Sequence, residues 1–191
     1  ARFGATAYPG SPLLAAQLLR PGDTLHLAEL HPGEHAALGA TMAPFGAHVH
    51  AQDGLEMALA LCPPTPRRGL LLIDPPYEIK ADYETLPRRI GQIARKWNVG
   101  IIALWYPILE GGPAAPPHLA MRQALCAAFP TALCRERRFG PARPGHRMVG
   151  SGMLVINPPY GLSEEAALLD ARLDGRLDAK ADARRDAAGP R

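Results

Sequence analysis

Two copies of one short motif place acceptor groups and an aromatic ring directly after an apolar run. The stretch GLLLIDPPYEIK, residues 69–80, sets Asp74 and Tyr77 around two prolines, and SGMLVINPPYGL, residues 151–162, repeats the pattern with Asn157. Proline has no N–H and keeps the preceding residue extended, so DPPY presents carboxylate and carbonyl oxygens without competing main-chain donors. Such acceptors beside a flat ring suit the exocyclic amine of a nucleobase, which carries two N–H donors.

The chemistry that fits the first copy is transfer of an electrophilic methyl group to that amine. The lone pair of an adenine amine is delocalised into the ring, and hydrogen bonds taken from both of its N–H groups would return electron density to the nitrogen. Asp74 can accept the released proton directly or through water. Pro75 restricts Asp74 to the extended geometry, and Tyr77 offers a flat face to the base. These three residues are the catalytic candidates.

Alternating strand and helix patterns predict the elements that position these residues. Five β-rich runs lie at 24–30, 47–53, 69–74, 100–106 and 152–157, with helical patterns between them. Two of the runs, 69–74 and 100–106, are almost continuously apolar, as in strands covered on both faces. Ser11 and Pro12 form the expected start of the first helix, with Ser11 as the N-cap. The alternation predicts an α/β fold with a parallel, doubly wound sheet.

Acidic residues follow the first three predicted strands. Those strands end at Glu29, at Asp53-Gly54 and at Asp74, and ligands of open α/β sheets bind at the carboxyl ends of the strands. A single acid at the end of a strand is better explained as a cap of the next helix or turn than as a ligand-binding residue. Three acids on successive strands instead favour a polar binding site along this edge of the sheet. Trp105 and Tyr106, at the end of the fourth run, are expected to fill space beside the sheet.

Composition sets wide bounds on the function. The 191 residues carry a net charge of +3 and contain no apolar run near the roughly 18 residues of a membrane span. Three cysteines without CxxC spacing indicate reduced thiols in a cytoplasmic protein. Residues 67–96 hold seven Lys or Arg against four acids, and residues 135–147 hold five Arg against one Glu. Each basic cluster alone fits a solvated face as well as a nucleic-acid contact.

Two further patterns are expected to carry no chemistry. His31 and His35, like His48 and His50, lack cysteine or carboxylate partners at ligand spacing, so no metal site is predicted. The segment 169–184 repeats LDAR, LDGR, LDAK and ADAR, which puts like charges four residues apart and weakens a helix by ~0.2–0.5 kcal/mol per pair. We expect a disordered or marginally helical tail there.

The motifs, taken in order, resemble a known family. YPGSPLLAAQLLR, LHLAELHP, RRGLLLIDPPYEIKADY, ALWYPI and SGMLVINPPY are similar in order and spacing to the bacterial 23S ribosomal RNA adenine-N6-methyltransferases of the RlmJ family. The resemblance runs from about residue 5 to residue 160. It implies a Rossmann-like class I methyltransferase that uses S-adenosylmethionine to methylate the N6 amine of an adenine in 23S ribosomal RNA. The RNA substrate would be either free of ribosomal proteins or partly assembled with them. We expect it to act as a monomer in the cytoplasm, without a metal or a membrane partner.

The resemblance also implies roles for single residues. Glu29 would accept hydrogen bonds from the cofactor ribose, and Asp53 would accept one from its adenine amine beside the Gly54 amide. The full cofactor set is Ser11, Glu29, Asp53, Gly54 and Asp74. The residues implied for RNA are Tyr77, stacking on the target base, and Lys80, Arg67, Arg68, Arg88, Arg89, Arg143 and Arg147. The second copy, at Asn157, is expected to be a strand-terminating turn.

The family's first strand, with a glycine-rich cofactor loop, has no counterpart in this sequence. We therefore expect residues 1–162 to be the carboxyl-terminal part of a methyltransferase domain that lacks its central strand, followed by the charged tail at 163–191. Two alternatives stay open. DPPY serves several base amines, so adenine in DNA is a second substrate, and a truncated, non-catalytic RNA-binding remnant would keep the basic clusters.

Overall fold

The computed structural model of the chain describes residues 8–77, 80–110, 115–139 and 147–187. These residues form two compact units, the first ending at Cys62 and the second beginning at Pro63. Each unit has a sheet of its own, with two strands in the first and four in the second. In the described part of the chain, no helix is both long and apolar enough to span a bilayer.

The first unit is a pair of parallel strands with short helices. In chain order its elements are α1 (Ser11–Leu18), β1 (His26–Ala28), α2 (Pro32–Met42), a 3-10 turn (Ala43–Phe45), β2 (His48–His50) and α3 (Gly54–Leu61). Strand β1 pairs with β2 from His26 opposite His48 to Ala28 opposite His50. Helix α1 has Gly10 rather than Ser11 at its N-cap, a shift of one residue that is usual at helix ends.

The second unit carries the larger sheet. Its elements are β3 (Leu70–Ile73), α4 (Lys80–Lys96), β4 (Ile101–Leu109), α5 (Pro117–Ala128), β5 (Leu133–Arg138), β6 (Met148–Ile156) and α6 (Leu162–Ala187). The strand order is β3-β4-β6-β5. Helix α6 begins where the sequence predicted a tail, and it belongs to the second unit.

The α/β class is confirmed, but the prediction of an all-parallel sheet is wrong at one strand. Strands β3 and β4 are parallel, whereas β6 runs antiparallel to both β4 and β5. Apolar runs reveal where strands lie but not their direction, which depends on the connection between them. Strand β5 was not predicted because its sequence, LCRERR, is charged enough to be taken as a basic surface cluster.

The core of the second unit is formed by buried residues of β4, β6 and the helices α4 and α5. Buried residues of α4 recur at helical spacing, from Leu86 through Ile90 and Ile93, and Trp97 follows the helix. On β4, Ile102 and the residues that follow it are mostly buried. Burying side chains of this size contributes roughly 1.5–3 kcal/mol each, so the end of β3 is attached to a firmly packed layer.

Candidate active site

Asp74 lies at the carboxyl end of β3, in the turn formed by the first PPY copy. Ile73 is the last residue of β3 and pairs with Leu104, which brings Asp74 level with Trp105 on the neighbouring strand. Tyr77 closes the turn with a positive φ of 56°. That left-handed conformation costs a non-glycine residue roughly 1–2 kcal/mol, so other contacts must hold it.

Contacts with β4 and α4 hold the Tyr77 ring. The hydroxyl donates a hydrogen bond to the Trp105 carbonyl oxygen at 2.5 Å. The centroid of its ring lies 4.7 Å from that of Tyr83 and 6.2 Å from that of Trp105. Partial burial raises the pKa of Tyr77, so its hydroxyl stays protonated as a donor at neutral pH. Tyr77 is thus a half-buried ring fixed beside Asp74.

The Asp74 carboxylate is exposed, and its surroundings still disfavour the charge. Partial burial by nearby residues desolvates this carboxylate and raises its pKa above that of an ordinary aspartate. No cation or hydrogen-bond donor offsets this effect among the residues that the structure describes. A carboxylate with a raised pKa and no stabilising partner is a better proton acceptor than one engaged in an ion pair.

The second PPY copy lies at the other end of the same sheet. Asn157 follows β6, whose last residue, Ile156, pairs with Ile102 near the start of β4. Its side-chain amide donates to the carbonyl oxygens of Asn98 at 3.0 Å and Gly100 at 2.8 Å. Gly100 and Trp105 are separated by five residues of extended chain, about 16 Å. The role of Asn157 here is to terminate a strand, as predicted from the sequence.

In the first unit, Glu29 and Asp53 each cap the segment that follows them. Glu29 accepts from the His31 amide and Asp53 from the Glu56 amide, both at 2.8 Å. Because β1 and β2 are parallel, the two acids lie at the same edge of their sheet. Gly54 is next to that edge, since a Cβ added to it would lie 3.6 Å from the Ala28 side chain.

Each capping bond uses one carboxylate oxygen, and a carboxylate has two. The edge therefore offers acceptors beside the Gly54 amide, a set that suits the hydroxyl and amine donors of a nucleoside such as S-adenosylmethionine. Ser11 is exposed in the first turn of α1. Its cofactor role stays a prediction.

The basic residues predicted for RNA lie in different places. Arg67 is at the amino end of β3, where its guanidinium donates to Asn98 Oδ1 at 3.3 Å and to the Lys96 carbonyl at 3.4 Å. With Arg68 it lies at the opposite end of β3 from Asp74. Arg147 is at the Asp74 end of the sheet, and its Nε donates to the Glu110 carbonyl at 3.2 Å.

The remaining RNA candidates are less informative. Arg88 and Arg89 lie within α4, at exposed and half-buried positions respectively. Lys80 begins that helix, and its side chain lies outside the described residues, as does the whole of Arg143.

Sequence reasoning missed two groups of residues around this sheet. The Trp105 carbonyl and the Tyr83 ring, which hold Tyr77, carry no sequence signature beyond the tyrosine in KADY. Trp105 was expected to be a space-filling residue, and Tyr106 is one, since it is fully buried and donates to Glu136 Oε1 at 2.9 Å. Ion pairs along β5 were also missed, because LCRERR lacks the apolar–polar alternation that would indicate a strand.

Histidines of the first unit pack against each other. His26 Nδ1 lies 3.0 Å from His50 Nε2, and the His26 and His48 rings stack at 4.8 Å. His31 caps α2 by accepting from the Glu34 amide at 3.4 Å. Within the described ranges, no group of three or more His, Cys, Asp or Glu side chains is arranged to hold a metal ion.

Comparison with known proteins adds independent evidence. A family described as "Ribosomal RNA large subunit methyltransferase D, RlmJ" matches residues 4–185. Ribosomal RNA large subunit methyltransferase J of Escherichia coli (strain K12) is 37% identical over 83% of this chain. The chain spans 56% of that relative's length.

Solved structures agree on the fold. A Legionella pneumophila protein superposes with a TM-score of 0.77 at 33% identity, covering 87% of this chain and 61% of that one. A candidate O-methyltransferase from Klebsiella pneumoniae superposes with a TM-score of 0.50 at 12% identity. The superposition covers 75% of this chain and 66% of that one. The second match supports a methyltransferase fold and nothing finer.

Proposed function

Because the chain belongs to the ribosomal RNA large subunit methyltransferase family RlmJ, we propose that the protein methylates the N6 amine of an adenine in 23S ribosomal RNA. The family supports the reaction class, with S-adenosylmethionine as the methyl donor. The single observation that carries the proposal for this chain is the Asp74 carboxylate at the end of β3, beside a Tyr77 ring fixed on the Trp105 carbonyl.

Asp74 is the proposed acceptor for the adenine amine. When bound, S-adenosylmethionine supplies an electrophilic methyl group on a positively charged sulfur. As the N6–methyl bond forms and the sulfur–methyl bond breaks, one N6 proton must leave, and Asp74 takes it directly or through water. Its raised pKa suits this role, because an aspartate of ordinary pKa holds a proton more weakly.

Tyr77 is the proposed platform for the target base. Its ring is half-buried and its hydroxyl is bonded to Trp105, so little rotamer freedom remains to be lost when a base stacks on it. Pro75 restricts the backbone of Asp74 to the extended region, which limits the positions that its carboxylate can reach. An adenine must leave its stacked arrangement to reach these groups, which costs a few kcal/mol and favours loops or single strands.

The edge of the first unit is proposed to hold the cofactor. Glu29 would accept from the ribose hydroxyls and Asp53 from the adenine amine, with the Gly54 amide beside it and Ser11 as a further contact. The polar edge formed by parallel strands β1 and β2 supports this assignment. We also propose that the protein acts as a monomer in the cytoplasm, with its basic residues as phosphate contacts.

A methyl-transfer assay tests the proposal. The protein is incubated with S-adenosylmethionine and either unmodified 23S ribosomal RNA or duplex DNA, and N6-methyladenine is measured after digestion. We expect methylation of the RNA and a loss of at least about 100-fold in Asp74→Asn. Glu84→Gln, which removes an exposed carboxylate of α4, is the matched control and should keep its activity.

Two outcomes would favour the alternatives. Preferential methylation of the duplex DNA would make the protein a DNA adenine methyltransferase. A protein that binds RNA but is not stabilised by S-adenosylhomocysteine in thermal unfolding would be a non-catalytic RNA-binding remnant.

A further inference from the structure

We propose that Arg135 and Arg137 form a phosphate-binding face on β5, which helix α6 covers through Asp170 and Asp174 until RNA displaces it. The two arginines are one strand repeat apart, so their side chains leave the same face of β5. This inference rests on the RNA substrate proposed above. It adds a surface that binds the RNA and a helix of the same chain that competes with the RNA for that surface.

Both arginines are engaged by the helix in the same way. Arg135 donates from Nη2 to the Ser163 carbonyl at 3.0 Å, and its Nη1 lies 3.9 Å from Asp170 Oδ2. Arg137 donates from Nη1 to the Asp170 carbonyl at 3.3 Å and pairs through Nη2 with the Asp174 carboxylate. Acceptor oxygens of the helix thus stand where the phosphate oxygens of a nucleic acid would bind.

The spacing of the charges explains how helix and strand match. Two residues of a strand advance by about 6.6 Å, and four residues of a helix advance by about 6 Å. Asp170 and Asp174 are four residues apart, so the carboxylate of each pairs with one arginine of the strand. The four-residue repeat of the tail sequence therefore has a structural use at its first two aspartates.

The contact is built to be reversible. Leu168 and Leu169 are 54% and 56% exposed and Leu173 is 39% exposed, so none of these three leucines of α6 is buried against the sheet. The ion pairs that remain are partly exposed, and such pairs contribute little stability. Displacing the helix therefore loses little apolar burial.

Phosphate oxygens would satisfy these arginines better than the aspartates do. The Nε of Arg135 is buried and has no hydrogen-bond partner among the described residues. Arginine binds phosphate with two parallel N–H···O bonds, so a phosphate could accept from Nε as well as from a terminal nitrogen.

The opposite face of β5 is different. There Glu136 accepts from Tyr106 and pairs with Arg122 at 3.2 Å, so its charge is used within the unit. On the face covered by α6, by contrast, Arg135 and Arg137 are paired with a helix that is held by partly exposed ion pairs.

The test is the affinity of the full protein for a fluorescently labelled 20-nucleotide single-stranded RNA, measured by anisotropy at several salt concentrations. We expect Asp170→Asn/Asp174→Asn to bind about 3- to 10-fold more tightly and with a steeper salt dependence, because the arginines no longer have a competitor. Arg135→Gln/Arg137→Gln should bind more weakly, and adding the two Asn changes to it should gain nothing.

Glu164→Gln/Glu165→Gln is the matched control, because it removes the same charge from exposed positions of the same helix. An equal gain in that control, or wild-type affinity in both Asp170→Asn/Asp174→Asn and Arg135→Gln/Arg137→Gln, would overturn the inference and leave the proposed function standing. A wild-type protein that binds no RNA would instead overturn the proposed function. Hydrogen exchange of α6 provides a readout without substitutions, and its amides should lose protection when RNA is added.

Discussion

The DPPY and NPPY segments each contain one left-handed residue, and the side chain of that residue is hydrogen-bonded to a main-chain carbonyl of β4 or of the residue that precedes it. Tyr77 and Asn157 are the two described non-glycine residues with positive φ, at 56° and 52°. Tyr77 donates from its hydroxyl to Trp105, and Asn157 donates from its amide to Asn98 and Gly100. A strained backbone is thus held in each case by a side chain, but only the first turn leaves a carboxylate exposed beside it.

Asp74 and Asn157 should therefore respond differently to substitution. Asn157→Ala loses two hydrogen bonds and a residue type that tolerates the left-handed region, so we expect a loss of about 1–3 kcal/mol in the free energy of unfolding. Desolvation raises the pKa of Asp74 in the folded protein, so folding costs free energy when this carboxylate is ionised, and Asp74→Asn should not lower the melting temperature. Denaturant unfolding measures the free-energy loss in Asn157→Ala, and thermal unfolding measures the melting temperature of Asp74→Asn. A large destabilisation by Asp74→Asn would mean that Asp74 is a structural residue.

The raised pKa of Asp74 also predicts the pH dependence of the reaction. Only the ionised carboxylate can accept the N6 proton, so kcat should fall as pH drops through the Asp74 pKa. Because desolvation raises that pKa, the midpoint should lie above the ordinary value of about 3.9. The residual activity of Asp74→Asn should lack this acid limb. An unchanged acid limb in that variant would assign the titration to another group.

Among the elements, the positions of the strands with apolar runs could be predicted, whereas the directions of the strands could not. The apolar runs at 69–74 and 100–106 became β3 and β4, since continuous burial on both faces is a strong local signal. The antiparallel course of β6 depends on pairing with β4, a contact between distant parts of the chain. Strand β5 was hidden because its charges are satisfied by α5, α6 and the end of β4, which the sequence alone does not bring together.

The pairing of β4 with β6 depends on one small residue. Gly152 is opposite Tyr106, and a Cβ there would lie 2.2 Å from the buried Tyr106 ring. We expect Gly152→Ala to lower the free energy of unfolding by about 1–3 kcal/mol, because the ring has no room to move. Gly91→Ala is the control, since its Cβ would meet only Arg95 at 3.7 Å and alanine favours a helix by about 1 kcal/mol. Equal effects in urea unfolding would contradict this packing.

The two ends of the four-stranded sheet differ in the functional residues that lie near them. Asp74, Tyr77 and Arg147 lie toward one end, whereas Arg67 and Asn157 share contacts with Asn98 at the other. Residue types identified the candidate groups, because DPPY and the strand-end acids are local features. Which of the basic residues accompany Asp74 could not be predicted, since that depends on strand direction. Likewise, the sequence did not reveal that Arg135 and Arg137 already have partners in α6.

The proposed function depends above all on the Asp74 carboxylate receiving the adenine amine. The most direct measurement is a crystal structure of the protein bound to a conjugate that joins S-adenosylmethionine's adenosyl group to the N6 of an adenosine. We expect N6 to lie within hydrogen-bond distance of an Asp74 oxygen, about 2.6–3.2 Å, with the adenine ring stacked on Tyr77. An adenine bound at the Asn157 end of the sheet, or an Asp74 side chain turned away from N6, would contradict it.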